Sequence, residues 1–292
     1  MSVYLLVVFV LLVLALRRSE AFTQADSAEG AFDVYLINMA RNPARLAHFK
    51  RTFGRSDLAD RSFTRFEGID GSRLDLEPLV TPKAMREITS AEKDGYRTRH
   101  YQLTRGAVGC AMSHLGVWRA LLDSDKEMAF VFEDDAMLDP HLLARFRRNA
   151  PRLPPDWDVL LLGYFCNRCL RRPGYKRVVR FYGLHGYVIR RKAAARLVPL
   201  VLPVGQQVDS LMSDLAEQGL LSVVCFDEKY VMQNNRAFRT EIQVPLRTVA
   251  GEDPWTTLPE DLLSYPVMSG PANCRPRLPA PQIRFSAQPS LS

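Results

Sequence analysis

Short apolar runs alternate along this chain with segments of helical periodicity. Asp33-Val-Tyr-Leu-Ile37 is a compact apolar run and predicts a buried strand. Pro43 opens a segment with Leu46, Phe49, Lys50 and Phe53 at helical spacing, and proline suits a first helical position. Residues 63–69 alternate and predict a second strand, ended by Asp70-Gly71. Residues 107–122 predict a helix, because Val108, Ala111, Leu115, Trp118 and Leu122 recur every three or four positions. Residues 128–132 are a fully apolar third strand, 157–163 a fourth and 182–189 a fifth. Further helices are predicted over 140–149, 192–200 and 208–219, the last opened by Asp209 or Ser210. Residues 75–103 are polar, carry Pro78 and Pro82, and predict an irregular, mobile insertion. Strands alternating with helices predict an α/β layered domain with a largely parallel sheet, whose ligands bind at the carboxyl ends of the strands.

The two ends depart from this pattern. Residues 3–16 form an unbroken apolar run, short of the roughly 20 residues that span a bilayer. Followed by Ser19-Glu20-Ala21, residues 1–21 read as a secretory signal peptide or a short signal anchor. No Lys or Arg precedes the run and Arg17-Arg18 follow it, so cleavage and anchoring both stay open. The domain then occupies 31–245, and the proline-rich residues 246–292 predict an irregular tail.

Charge sharpens the picture. The net charge is +7, but 159–208 holds ten Lys or Arg and no Asp or Glu, so the remainder sums to 7 − 10 = −3. One basic segment on a slightly acidic body attracts phosphates, acidic glycans, nucleic acid or a membrane surface, unless it is simply a solvated face. The five cysteines leave at least one unpaired within the monomer. Cys166-x-x-Cys169 lacks the second pair or histidines of a structural zinc site, leaving a short-loop disulfide or free thiols.

The chemistry concentrates where the third strand runs into Glu133-Asp134-Asp135. Three adjacent carboxylates beside a core repel one another, and a bound Mn²⁺ or Mg²⁺ bridging to substrate phosphates would relieve that repulsion. Strand alternation directs Glu133 and Asp135 one way and Asp134 the other. A solvated strand-end turn is the competing explanation. Gly106 lies in a glycine-bearing approach to the helix that carries Ser113 and His114, whose N–H groups could face an anion. The segment is neither a Walker loop nor a dinucleotide fingerprint, and His114 alone is as readily a structural histidine. Asp209 is either a helix cap or a general base projecting into a cleft. No Gly-x-Ser-x-Gly or His-Glu-x-x-His occurs.

Five segments in order then resemble glycosyltransferase family 25, which includes bacterial lipooligosaccharide and animal collagen galactosyltransferases. They are Val34-Tyr-Leu-Ile-Asn38 with Arg41 and Arg45; Glu67-Gly-Ile-Asp-Gly71; Leu103-Thr-Arg-Gly-Ala-Val-Gly-Cys-Ala-Met-Ser-His114 with Trp118; Phe132-Glu-Asp-Asp135; and the strand 183–189 followed by Val208-Asp209. The resemblance implies a GT-A type nucleotide-sugar-binding domain, a UDP-sugar donor (usually UDP-galactose) and a divalent metal, commonly Mn²⁺. It implies that Asn38, Arg41 and Arg45 line the nucleotide site and that Asp70 lies near uridine or ribose. Glu133 and Asp134 would contact ribose, and Asp135 would reach the metal with Glu133 as second candidate ligand. It further implies single-step inverting transfer to a hydroxyl of a glycan, glycolipid or glycoprotein acceptor. Asp209 is the nominated base and Asp134 the reserve, while the basic segment is a candidate for holding the diphosphate or an anionic acceptor. One departure stands out: Ala107 occupies a position where the family usually has an acid. It keeps a catalytically silent nucleotide-sugar-binding module open, beside a metal-dependent phosphodiesterase or phosphotransferase. A secretory lumen, endoplasmic reticulum or Golgi in a eukaryote, makes nucleic acid an unsuitable partner, and the N-terminal run allows membrane association.

Overall fold

The computed structural model describes residues 32–99, 101–235 and 237–238. The expectations for the N-terminal apolar run and for the tail after residue 245 lie outside the described residues. Six strands form one sheet: β1 (Phe32–Asn38), β2 (Thr64–Glu67), β3 (Met128–Glu133), β5 (Val159–Arg172), β6 (Tyr175–Arg190) and β7 (Val223–Cys225), in the order β2-β1-β3-β6-β5-β7. β1 pairs parallel with β2 and β3, and β5 parallel with β7, while β6 runs antiparallel to both β3 and β5. Five strands therefore share one direction and β6 opposes them, an α/β fold with a mixed, mostly parallel sheet. A separate pair joins β4 (Ala136–Leu138) to β8 (Val231–Gln233).

Period-two alternation divides the core between the faces of the sheet. Tyr35, Ala129, Val131, Val159 and Leu161 face one cluster, and Val34, Leu36, Phe130, Phe132, Leu160 and Leu162 face the other. The first is covered by α2 (Pro82–Asp94), α3 (Arg105–Asp123), α5 (Arg191–Val201) and α6 (Val208–Glu217), the second by α1 (Pro43–Phe53) and α4 (Leu142–Asn149). Among the described residues no helix is long and apolar enough to cross a membrane.

The structure corrects four expectations. The segment expected to be an irregular insertion contains α2, built on Ala84, Ile88 and Ala91, which are buried. Two small residues in that stripe gave it little hydropathy, although its caps are regular. Thr81 accepts the Ala84 N–H at 3.2 Å, Pro82 stands at the first position, and Gly95 closes the helix at φ 74°. The fourth and fifth strands extend beyond 157–163 and 182–189 into one long hairpin, β5–β6, whose outer halves are polar and carry no apolar run to mark them; Gly174 turns it at φ 85°. Within it Cys166 and Cys169 form a disulfide. α6 is capped at Gln207 rather than at Asp209 or Ser210, so Asp209 lies inside its first turn. Finally, the acidic triplet does not alternate. β3 ends at Glu133, and Asp134-Asp135 turn before β4, so the strand rule stops one residue too early to separate them.

Candidate functional site

At the carboxyl ends of β1 and β3, facing the start of α3, lies a cavity of about 300 Å³. Asn38, Arg41, Arg45, Asp70, Gly106, Ser113, His114, Glu133, Asp134 and Asp135 all line it. Residues from four separate stretches of sequence thus meet in one place. A second cavity, of about 210 Å³, is lined by Ala107, Phe165, His185 and Asp209 among others, and shares Cys110, Glu133 and Gln233 with the first.

Arg45 organises the acidic turn. Its Nε donates to Asp134 and its Nη2 to Asp135 at 2.9 Å. Asp134 also accepts the Asn38 side-chain amide at 2.7 Å, so both of its oxygens are engaged. Arg65 in turn donates Nε to Asn38 Oδ1 at 2.9 Å and holds that amide in place. Burial pushes Asp134 above the ordinary aspartate range, and Arg45 works against the shift. Unlike Asp209, Asp134 is ion-paired with a guanidinium, and that pairing commits it to holding the acidic turn. Asp135 Oδ2 accepts from Arg45 and, at 3.1 Å, from Gln233 Nε2; its buried Oδ1 has no hydrogen-bond partner among the described residues.

Glu133 belongs to a different chain of contacts. Trp118 Nε1 donates to Tyr187 Oη at 2.9 Å, and Tyr187 Oη stands 2.8 Å from His114 Nδ1. The tyrosine oxygen accepts from the indole, and a neutral His114 facing the acceptor-only Glu133 carboxylate with Nε2 accepts the hydroxyl's hydrogen bond on Nδ1. His114 then carries its proton on Nε2, 3.3 Å from Glu133 Oε1. His114 is thereby both a core histidine and part of the cavity wall. Burial lifts Glu133 above the usual carboxylate value, and the His114 contact opposes the shift.

The 68–71 loop closes on α3 with almost no clearance. A Cβ on Gly109 would stand 2.4 Å from the Ile69 carbonyl oxygen, and one on Gly71 1.9 Å from that of Arg105. Ser113 locks the contact by accepting the Ile69 N–H at 2.8 Å. This presents Asp70, ion-paired with Arg41, at the rim. Hydrogen bonds from the Ser72 hydroxyl and N–H hold its carboxyl below the ordinary range.

Asp209 faces the second cavity. Its oxygens accept the Gly183 N–H at 3.0 Å and the Ser210 N–H at 2.8 Å, and burial raises its pKa despite them. The cations of the basic segment line neither cavity. None of its ten Lys or Arg is among the lining residues, and Arg168, Lys176, Arg180 and Arg196 are ion-paired with Glu217, Asp227, Asp214 and Asp158. Positive charge at the first cavity comes instead from Arg41, Arg45 and Arg105. Gln233, Cys110 and His185 were not foreseen as cavity residues. β8 is too short to register as a strand, and no local pattern marks the others.

The family model described as "Glycosyltransferase family 25 (LPS biosynthesis protein)" matches residues 32–212, and the chain belongs to this family. Human procollagen galactosyltransferase 2 is 28% identical over 138 residues, covering 46% of this chain and 21% of that protein. The bovine "probable inactive glycosyltransferase 25 family member 3" is 27% identical over 142 residues, 47% of this chain and 22% of the relative. The chain thus spans about a fifth of the length of these curated relatives. Among solved structures, A197 from STIV is similar at a TM-score of 0.37 and 11% identity, over 68% of this chain and 82% of that one.

Proposed function

We propose that this chain is a glycosyltransferase that moves a hexose, galactose by analogy with its relatives, from a UDP-sugar to a hydroxyl of a glycan, glycolipid or glycoprotein. The observation that carries the reading is the pair of cavities joined at Glu133, Cys110 and Gln233, one bordered by the acidic turn and arginines and the other by Asp209. Such a pair suits a donor and an acceptor meeting at one point. On this reading the first cavity takes the nucleotide. Arg41 and Arg105 offer charge to the diphosphate, Asp70 and Glu133 offer acceptors to ribose or base, and Asn38 and Arg45 hold the acidic turn rigid.

The bare Oδ1 of Asp135 fits a divalent cation, since a buried carboxylate oxygen is costly without a partner. Mn²⁺ or Mg²⁺ is the proposed ion, with Asp135 as ligand; Glu133 is a weaker candidate because His114 engages it. When bound, the cation neutralises charge on the departing diphosphate. Asp209 takes the proton of the acceptor hydroxyl as that oxygen attacks the anomeric carbon, giving inversion in one step. Its two backbone donors fix its direction, and burial makes it a stronger base than an exposed aspartate. The domain architecture is proposed to be GT-A, and the working compartment a secretory lumen, reached through the N-terminal apolar run.

The test is UDP-galactose hydrolysis with and without Mn²⁺, for the wild-type chain and Asp135→Ala. The expected result is metal-dependent turnover that the substitution abolishes. Equal rates for both proteins, with or without metal, would overturn the assignment. A second reading is a nucleotide-sugar-binding module without turnover. Ala107, on the wall of the second cavity in place of the family's acid, favours it, as does the name of the bovine relative. It predicts UDP binding by calorimetry and no hydrolysis of any UDP-sugar.

A further inference from the structure

His185 is 3% exposed, and its Nδ1 has no hydrogen-bond partner among the described residues. The ring rests on Gly163, where a Cβ would stand 2.2 Å from His185 Nε2 and 2.6 Å from the Val231 carbonyl oxygen. Nε2 and that carbonyl therefore lie against the same glycine, and His185 hydrogen-bonds to the Val231 backbone. A carbonyl oxygen only accepts, so Nε2 carries the proton and Nδ1 keeps its lone pair. Burial disfavours the charged ring and lowers its pKa to about 4, so Nδ1 is an acceptor at neutral pH. A buried acceptor without a donor is costly, which calls for a ligand that brings one.

The groups around Nδ1 define that ligand. A Cβ on Gly183 would stand 3.3 Å from His185 Nδ1 and 3.4 Å from Phe165 Cδ2. Gly183 has φ 80°, a conformation that favours glycine, so the space between imidazole and phenyl ring stays open. The Gly183 N–H donates to Asp209 Oδ2 at 3.0 Å. One residue thus carries Asp209 on its nitrogen and faces His185 Nδ1 and Phe165 with its α-carbon. All four residues line the second cavity. A pyranose ring matches this set: its apolar C–H face suits the aromatic ring, and two neighbouring hydroxyls supply donors to two acceptors. A single hydroxyl on an amino-acid side chain would meet Asp209 and leave Nδ1 bare. A phosphate at neutral pH has little to donate to either.

We propose that the second cavity takes a pyranose ring of the acceptor, and that His185 Nδ1 accepts from the hydroxyl next to the one facing Asp209. His185 is then the residue that selects a sugar acceptor with neighbouring hydroxyls over an acceptor with one. The inference rests on the reading that the second cavity is the acceptor site. It goes beyond that reading by naming the chemical class of the acceptor and the side chain that recognises it. A site built to bind a hydroxyl rejects the analogue lacking it, because its own buried polar group is left unpaired.

The experiment titrates the full chain, ¹⁵N-labelled at histidine and saturated with UDP and Mg²⁺, with the methyl β-pyranosides of galactose, glucose and N-acetylglucosamine. Free 5-hydroxylysine is the single-hydroxyl control. One pyranoside should bind and move the His185 Nδ1 resonance upfield, as a hydroxyl proton meets the lone pair. Among its monodeoxy analogues, one that keeps the reacting hydroxyl should bind at least about tenfold more weakly and leave Nδ1 unmoved. His185→Phe keeps a flat ring without the lone pair, and should bind that analogue and its parent alike. The first two readouts use the wild type, so poor folding of the variant does not protect the inference. Pyranoside binding with Nδ1 unmoved would overturn the role of His185. Movement of Nδ1 on replacing UDP by UDP-galactose alone would assign it to the donor hexose and overturn the acceptor assignment. Transfer of galactose to 5-hydroxylysine, with no pyranoside bound, would overturn the sugar acceptor and leave the glycosyltransferase reading intact. No binding of UDP or of any pyranoside would overturn both.

Discussion

Arg45 Nη2 stands 2.9 Å from Asp135 Oδ2 across a sequence separation of 90 residues, and the same guanidinium reaches Asp134 through Nε. One cation thereby compensates two adjacent carboxylates whose side chains are almost wholly buried. Removing it leaves both charges uncompensated, the most damaging way to break a buried pair. Arg45→Met is expected to lower unfolding free energy by about 3–5 kcal/mol. Adding Asp134→Asn should return part of that loss. Denaturant midpoints of the single and double variants decide it, and identical midpoints would refute the compensating role.

The Asp209 carboxyl offers a pH test. Burial raises its pKa above the ordinary aspartate value of about 3.9. A base must be ionised to act, so activity falls as pH drops through the raised pKa. The acidic limb of kcat/KM should therefore lie above the position expected for an exposed aspartate. Asp209→Asn should lower kcat by roughly 10²–10⁴-fold, the usual share of a general base. Its carbonyl oxygen still accepts one backbone N–H, so the circular dichroism spectrum should be unchanged. A limb that survives in Asp209→Asn belongs to another group.

Tyr187→Phe strips two buried partners at once. Trp118 Nε1 loses its acceptor and His114 Nδ1 its donor. The expected cost is about 1–3 kcal/mol, the penalty of leaving a buried polar group unsatisfied. His114 should also become a mixture of tautomers, visible in its ¹⁵N ring shifts. A single unchanged tautomer in the variant would show that Glu133, not Tyr187, sets the proton.

Gly109→Ala tests the seat of the 68–71 loop. The new methyl meets backbone on the opposing loop rather than a side chain able to swing away. Overpacking of this kind costs about 1–3 kcal/mol. The loop carries Asp70, so UDP affinity should fall along with stability. Calorimetric UDP binding equal to wild type would separate the loop from the nucleotide site.

Much of the architecture was legible because its signals are local. β1 and β3 are short apolar runs, and α3 repeats its apolar residues at helical spacing under a Thr104 cap. α2 escaped notice because alanine supplies much of its buried stripe, and small residues weigh little in any hydropathy pattern. The outer halves of β5 and β6 escaped because exposed basic residues mask their extended backbone.

The acidic triplet marks where these two kinds of information part. That three carboxylates follow an apolar strand, and that such a cluster calls for positive charge, is legible along the chain, since both facts are intrinsic to neighbouring residues. Their division arises in the fold: Asp134 and Asp135 go to Arg45, Glu133 to His114, and Gln233 is brought from β8 to Asp135. Those partners stand between 19 and 98 residues away along the chain. They depend on the turn that ends β3 and on β8 pairing with β4 just beyond it, and spacing along the chain does not encode either.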